Sequence, residues 1–194
     1  MSEFEKQWIK MAKSGDVDSF EKLIQSTQSK AYNIALRCLK NEEDAMDASQ
    51  ESFIKVFRAL KGFKEESSFD TWVYRIVVNT CNDALRKSSK HRADVSIYRR
   101  DGNLNESIME FPDLSHSPEV LLENSEKHAL IISCLSKLSP DQREAITLRD
   151  MENFSYEEIS EILSCSLGTV KSRISRARIN LRQYLLETKE QNDE

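Results

Sequence analysis

The chain has 194 residues, 31% of them charged, a formal net charge of -5, and only four Gly and three Pro. That length holds one domain or two small ones, each with a buried core, and so little Gly and Pro favours long helices. No apolar run reaches the ~18 residues of a membrane span, and the first residues, MSEFEKQW, lack the basic and apolar parts of a signal peptide. A soluble cytoplasmic protein is expected. Cys38, Cys81, Cys134 and Cys165 are far apart in sequence, with no CxxC pair and no His in ligand spacing, so neither a zinc site nor a disulfide framework is suggested. Because the charge is unevenly distributed, the whole-chain balance excludes no class of partner.

The first ninety residues read as four helices without a convincing strand. Helix one, about Glu3 to Lys13, ends at Ser14-Gly15. Asp16 then caps a longer helix through Phe20, Leu23, Ile24, Ala31, Tyr32, Ala35, Leu36 and Leu39, bent near the polar Gln25 to Ser29 run. Asn41 followed by Glu42, Glu43 and Asp44 puts an N-cap and negative charge where the helix dipole favours it, opening a third helix to about Leu60. Its core side holds Ala45, Ala48, Ser52, Phe53, Val56 and Leu60. Glu43, Asp47, Gln50, Glu51 and Ile54 fall outside, with Phe57 at the edge. An outward Ile among carboxylates suits a docking surface; an ordinary acidic face with one stray hydrophobe is the competing reading.

Ser67 or Ser68 caps a fourth helix that runs to about Ser89. Val73, Val77, Cys81 and Ala84 make its buried stripe. Trp72, Arg75, Asn79, Asn82, Asp83 and Arg86 share another. With Phe63 and Phe69 ahead and Lys87, Lys90 and Arg92 behind, aromatic rings alternate with cations and amides. That mixture suits unstacked bases, which stack on rings while phosphates meet the cations. Simple closure of the core by Trp72 and Phe69 is the alternative.

From Ala93 to Ser117 the periodicity stops. Gly102, Pro112, several Ser and Asn, and five acids mark an extended linker between domains. Ser117-Pro118 opens a helix carrying Val120, Leu121, Leu130, Ile131, Cys134, Leu135 and Leu138. Ser139-Pro140, with Gln142 as capping-box partner, opens another through Ile146 and Leu148, before a turn at Glu152-Asn153.

The most informative stretch is the last, Phe154 to Tyr184. Ser155 and Glu158 form a capping box, Ile159, Ile162 and Leu163 give one apolar face, and Ser164-Cys165-Ser166 interrupts it. In the next helix Val170, Ile174, Ala177 and Leu181 fall on one side and Ser172, Ser175 and Arg176 on the other. No acid occurs from Ser164 to Leu186, against Lys171, Arg173, Arg176, Arg178 and Arg182. A short helix, a tight turn and a basic second helix match the geometry that lays a recognition helix in the major groove. Ser172 and Ser175 let the backbone approach base edges, and Arg176 has the reach for a bidentate guanine contact. Lys171, Arg173 and Arg178 lie where phosphates flank the groove, and Thr169 with the helix N-terminal amides binds one more. A basic surface helix of a bundle is the bland alternative.

These stretches together resemble the sigma-70 superfamily of RNA polymerase sigma factors, in the compact extracytoplasmic-function (ECF) group that keeps only regions 2 and 4. DAMDASQESFIKVFRAL from Asp44, FKEESSFDTWVYRIVVNTCNDALRK from Phe63, and the segment from Leu138 through Arg178 carry the resemblance. Ser164, Ser166 and Asn153 depart from a frequent Gly, Pro and Gly, but Ser and Asn tolerate those turn roles. The resemblance implies an all-α fold: region 2 over 1–92, an acidic linker over 93–117 threading the RNA exit path, and region 4 over 118–194. It implies that Asp47, Gln50, Glu51 and Ile54 dock on the beta-prime clamp helices of core polymerase, with the beta flap as a further contact. Phe63, Ser67, Ser68, Phe69, Trp72, Arg75, Asn79 and Asp83 would melt the minus-10 element and capture a base. Lys171, Ser172, Ser175 and Arg176 would read minus-35 bases, with Thr169, Arg173 and Arg178 on phosphates. Neither catalytic residues, cofactor nor small-molecule substrate is implied, strand opening needs no ATP, and an anti-sigma factor, often membrane-bound, is an expected partner.

Two other classes compete. A helix-turn-helix regulator acting without polymerase needs a ligand pocket or receiver-like acidic cluster, and neither is apparent. A nucleic-acid enzyme needs an acid/base or metal set, whereas His91, His116 and His128 are isolated.

Overall fold

The computed structural model describes residues 3–95 and 130–192, and among these only helices and turns occur. Helix α1 spans Glu3–Lys13 and gives way at Gly15, whose φ of 103° is open to glycine without a Cβ penalty. Asp16 caps α2 (Val17–Gln25) by accepting from the Ser19 amide at 3.0 Å. The expected single bent helix is two helices. The Thr27 hydroxyl donates to the Ile24 carbonyl at 2.8 Å, ending α2, and α3 restarts at Gln28–Leu39. Lys40, in the left-handed region at φ 62°, closes α3, and Asn41 caps α4 (Glu42–Ala59) through the Asp44 amide at 2.9 Å. After a 3-10 turn over Leu60–Gly62, Ser68 provides the fourth-helix cap, accepting from the Thr71 amide at 3.0 Å. Helix α5 then runs Phe69–Val95, past the expected end at Ser89 and three residues into the expected linker.

The rest of that linker and the Ser117-Pro118 helix start lie outside the described residues. The chain is helical again over 130–137, named α6 here. Helix α7 (Pro140–Ile146) continues as a π-helical turn, Thr147–Met151. Its expected capping box does not form: the Ser139 side chain makes no cap, and Gln142 instead accepts from the Asn180 amide of the last helix at 3.0 Å. Tertiary contact outcompetes the local cap, since Pro140 at N1 already removes one orphan donor. Helices α8 (Tyr156–Ile162) and α9 (Leu167–Asn192) complete the fold.

Small residues let α3, α4 and α5 approach closely: Ala31, Ala35, Ala45, Ala48, Val73 and Val77 are buried where these helices meet. Each larger aliphatic side chain buried there, such as Ile34, Val56 or Leu60, contributes about 1.5–3 kcal/mol. This core does not stop at α5. It continues through Ala145, Leu148, Phe154, Ile159, Ile162, Val170 and Ile174, so the two helical units share one apolar interior. A second, smaller cluster of Leu135, Leu138, Ile146 and Ala177 holds α6, α7 and α9 together.

Candidate nucleic-acid interface

The helix-turn-helix forms as its sequence requires. Ser155 and Glu158 make both halves of the capping box, at 3.1 Å and 2.8 Å. Ser164, at φ 49°, turns the chain, and the Ser160 hydroxyl donates to the Cys165 carbonyl at 2.6 Å to fix that turn. Ser166 caps α9 through the Thr169 amide at 3.1 Å. Val170, Ile174 and Ala177 are buried, which turns Lys171, Ser175 and Arg176 outward, all exposed, with Ser172 half-buried beside them. The Ser172 hydroxyl donates to the Thr169 carbonyl at 2.9 Å.

The two flanking arginines are occupied. Arg173 pairs with Asp141 at the start of α7, and Arg178 makes a two-point contact to Asp150, Nε to Oδ2 at 3.0 Å. Lys171 and Arg176 have no such partner among the described residues. The charge offered by α9 is therefore graded: cations without a partner on the outer face, and arginines held by carboxylates at its edges.

In the first unit, α4 presents Asp47, Gln50, Glu51 and Ile54 to solvent, Ile54 with 51% of its surface exposed. Lys55 bridges back to Glu51 at 2.9 Å, holding that carboxylate below its usual range. Met46 and Phe57, also exposed, extend this face. The sequence reading left Met46 out, although its spacing of four to Gln50 and eight to Ile54 was available.

The expected base-capture residues divide. Phe63 and Phe69 are buried, at 4% and 1%, with ring centroids 5.8 Å apart, and Trp72 lies half-buried against Phe63 at 4.9 Å. Phe63 and Phe69 thus close the core at the start of α5, and the Lys13 ammonium clamps the loop by donating to the Phe63 carbonyl at 2.8 Å. Ser67 and Ser68 sit at the loop surface, Asn79 and Asp83 are exposed along α5, and Asp83 pairs with Arg86. The Arg75 Nε is buried without a hydrogen-bond partner among the described residues. Of this set, Trp72, Arg75, Asn79 and Asp83 share one side of α5.

Sequence reasoning missed the residues that join the two units. Arg143 of α7 is buried and donates to three carbonyls, Leu135 at 3.1 Å, Leu138 at 2.9 Å and, across the junction, Cys38 at 3.0 Å. Glu152 pairs with Arg37 of α3 at 2.6 Å, and Tyr74 of α5 meets Phe154 edge-on at 5.2 Å with the Lys30 ammonium 4.8 Å from the Phe154 ring. The advance signal was Asp141, Arg143 and Glu144 close together on a short helix that ends in the apolar Ala145 and Ile146.

Two all-helical units, one ending in a basic helix-turn-helix and the other carrying an exposed acidic-apolar face, define a DNA-binding protein with a second docking surface. Residues 128–181 match sigma-70, region 4, and residues 23–91 match sigma-70 region 2. The RNA polymerase sigma-H factor of Pseudomonas aeruginosa is 35% identical over 176 residues, 91% of each chain. The ECF RNA polymerase sigma-E factor of Escherichia coli K12 is 35% identical over 170 residues, 88% of each chain. Among solved structures, the sigma factor RpoE of Bartonella quintana, in complex with the anti-sigma factor NepR, superposes with a TM-score of 0.67 at 26% identity, covering 86% of this chain and 96% of that one. CnrH, in complex with the cytosolic domain of CnrY, gives 0.65 at 26%, covering 96% and 99%. The chain belongs to the sigma-70 family of RNA polymerase sigma factors, in its ECF group. It is an alternative sigma factor directing transcription initiation; the reading as a regulator independent of polymerase is not favoured. No helix among the described residues is long and apolar enough to cross a membrane.

Proposed function

We propose that the unit over 1–92 docks on core RNA polymerase through the outer face of α4 and opens the minus-10 element with α5, while the unit over 118–194 reads the minus-35 element with α9. Residues 93–117 form the acidic connection between them. The exposed Arg176, with no ion-pair partner among the described residues, beside Ser175 and Lys171 and opposite the buried Val170, Ile174 and Ala177, is the observation that carries the reading. Arg176 supplies the bidentate base contact, Lys171 and Ser172 support it, and Thr169, Arg173 and Arg178 meet phosphates once Asp141 and Asp150 release the two arginines.

On α4, Asp47, Gln50, Glu51 and Ile54 engage the beta-prime clamp helices, with an apolar centre inside a polar rim. The beta flap contacts the second unit. On α5, Trp72 offers the edge of an aromatic cluster to an unpaired base, and Arg75, Asn79 and Asp83 line the path of the strand. Ser67 and Ser68 edge the capture loop, which Phe63 and Phe69 support from within. Binding energy for the single-stranded state drives opening without ATP, and no residue acts as a catalyst. An anti-sigma factor holds the protein inactive in the cytoplasm or at the membrane; the similar sigma factor RpoE of Bartonella quintana is itself found in complex with the anti-sigma factor NepR.

Run-off transcription with core RNA polymerase on a promoter library tests this. Selective initiation is expected from the wild type, loss of minus-35 preference from Arg176→Ala, and impaired opening with intact core binding from Trp72→Ala. A protein that shifts duplex DNA alone and gives no polymerase-dependent initiation overturns it.

A further inference from the structure

The junction between the two units buries a carboxylate, at a cost to its charged form. Glu144 of α7 is 6% exposed and has no cation within ion-pair distance among the described residues. Its charged and polar neighbours come from α3, α5, α7 itself and α9. From α9 Arg173 attracts it while paired with Asp141, and from α5 a hydrogen bond from the Asn82 side chain also favours the charged form; burial outweighs both. On α7 itself Asp141 repels it and Arg143 attracts it, but the Arg143 guanidinium is spent on three carbonyls. On α3 the Cys38 thiol feels the same carboxylate. Burial, then the Asp141 charge, push Glu144 up to about 7, whereas solvent contact returns it to its ordinary value of 4.5.

Glu144 lies on α7, which packs against α9 on one side and against α3 of the first unit on the other. The other contacts across that junction, Arg37 with Glu152, Lys40 to the Ser136 carbonyl at 2.6 Å, and Tyr74 with Phe154, do not depend on the charge of Glu144. We propose that Glu144 is a proton-sensitive latch: protonated, it sits in the junction without a buried charge and the two units stay closed; deprotonated, it favours their separation at this junction.

The sign follows from linkage. The closed form binds the proton more tightly than the open form, so closure is most favoured below the ordinary glutamate range and weakens as pH rises through about 7. Between pH 6 and pH 8 the closed-to-open ratio falls about tenfold, nearly all of it below pH 7.5. The latch belongs to the free protein, whatever the two units bind. Cells whose cytoplasm acidifies under stress would hold more of the factor closed, and recovery would release it.

Energy transfer across the junction tests the latch in the full chain. Dyes go on Lys61→Cys and Glu161→Cys, exposed positions on either unit and away from the contact, in a Cys165→Ser background. Phe154→Ala, which removes the aromatic contact without adding a titrating group, brings opening into measurable range, with circular dichroism confirming helix content. Transfer in Phe154→Ala is expected to drop from pH 6 to pH 8 in line with a tenfold change in the equilibrium. In Phe154→Ala/Glu144→Gln, where the side chain is neutral at every pH, transfer is expected to stay high and flat. The same pH response with and without Glu144→Gln, or no response in either, overturns the latch.

Discussion

Arg37 of α3 and Glu152, just past the π-helical turn, form an ion pair of 2.6 Å across the junction of the two units, with the Glu152 side chain only 8% exposed. The Lys30 ammonium reaches the Glu152 carbonyl at 3.3 Å from the same side. Two cations of α3 thus grip one residue of the second unit. Removing one partner leaves the other buried and unpaired, the costly half of a buried salt bridge. Arg37→Ala is expected to cost about 2–3 kcal/mol in urea unfolding. Arg37→Met combined with Glu152→Met should recover most of that, because the orphaned carboxylate is gone. A double variant as unstable as the single one would remove the ion pair from the account of closure.

The edges of α9 hold two carboxylate-bound arginines, so their availability is adjustable. Asp150→Asn releases Arg178 from a two-point contact without touching a DNA-facing residue. Duplex binding by anisotropy should tighten for all sequences alike, and the slope of log affinity against log salt should steepen by about 1. Arg176→Ala, by contrast, is expected to lose about 1–3 kcal/mol on the preferred sequence and little on others.

Exposure of Ile54 and Met46 makes the α4 face separable from folding. Ile54→Glu places a charge where the side chain already meets water, so stability should stay within about 0.5 kcal/mol of the wild type. Binding to core polymerase should fall at least about tenfold, as for an apolar anchor at an interface. Titration of labelled protein with core enzyme reads both numbers, alongside a thermal melt. Equal binding by Ile54→Glu would move the docking surface elsewhere.

Folding itself carries the Glu144 signature. The folded form raises this carboxyl to about 7 from 4.5, so its contribution is fully present below 4.5 and is lost as pH rises through 7. That difference corresponds to about 3 kcal/mol at most. Glu144→Gln should therefore be more stable than the wild type at pH 8 and no more stable at pH 5, as measured by chemical denaturation at each pH.

Local chemistry was legible from the residues alone. Caps at Asp16, Asn41, Ser155 and one of Ser67 or Ser68, and the alternation of faces on α4, α5 and α9, depend on neighbours within four positions, which is the range that sequence periodicity reports. The helix-turn-helix and the family followed from those short-range signals. The break at Thr27 was blurred because a hydroxyl turning back on Ile24 is a local competition that periodicity does not resolve.

What the sequence could not state was which faces meet. Val170 and Ile174 announced a buried side, but not that their core continues into Val73 and Val77 of the other unit. Phe63 and Phe69 had the right chemistry for a base, and their burial was decided by packing around the start of α5. Arg143 and Glu144 look like solvated charges on a short helix; only the approach of α3 and α5 buries them, turning one into a carbonyl clamp and the other into a titrating group. Caps and periodicity are properties of one helix, fixed by its own residues, whereas desolvation of a charge depends on every element around it, so the tertiary structure alone decides it.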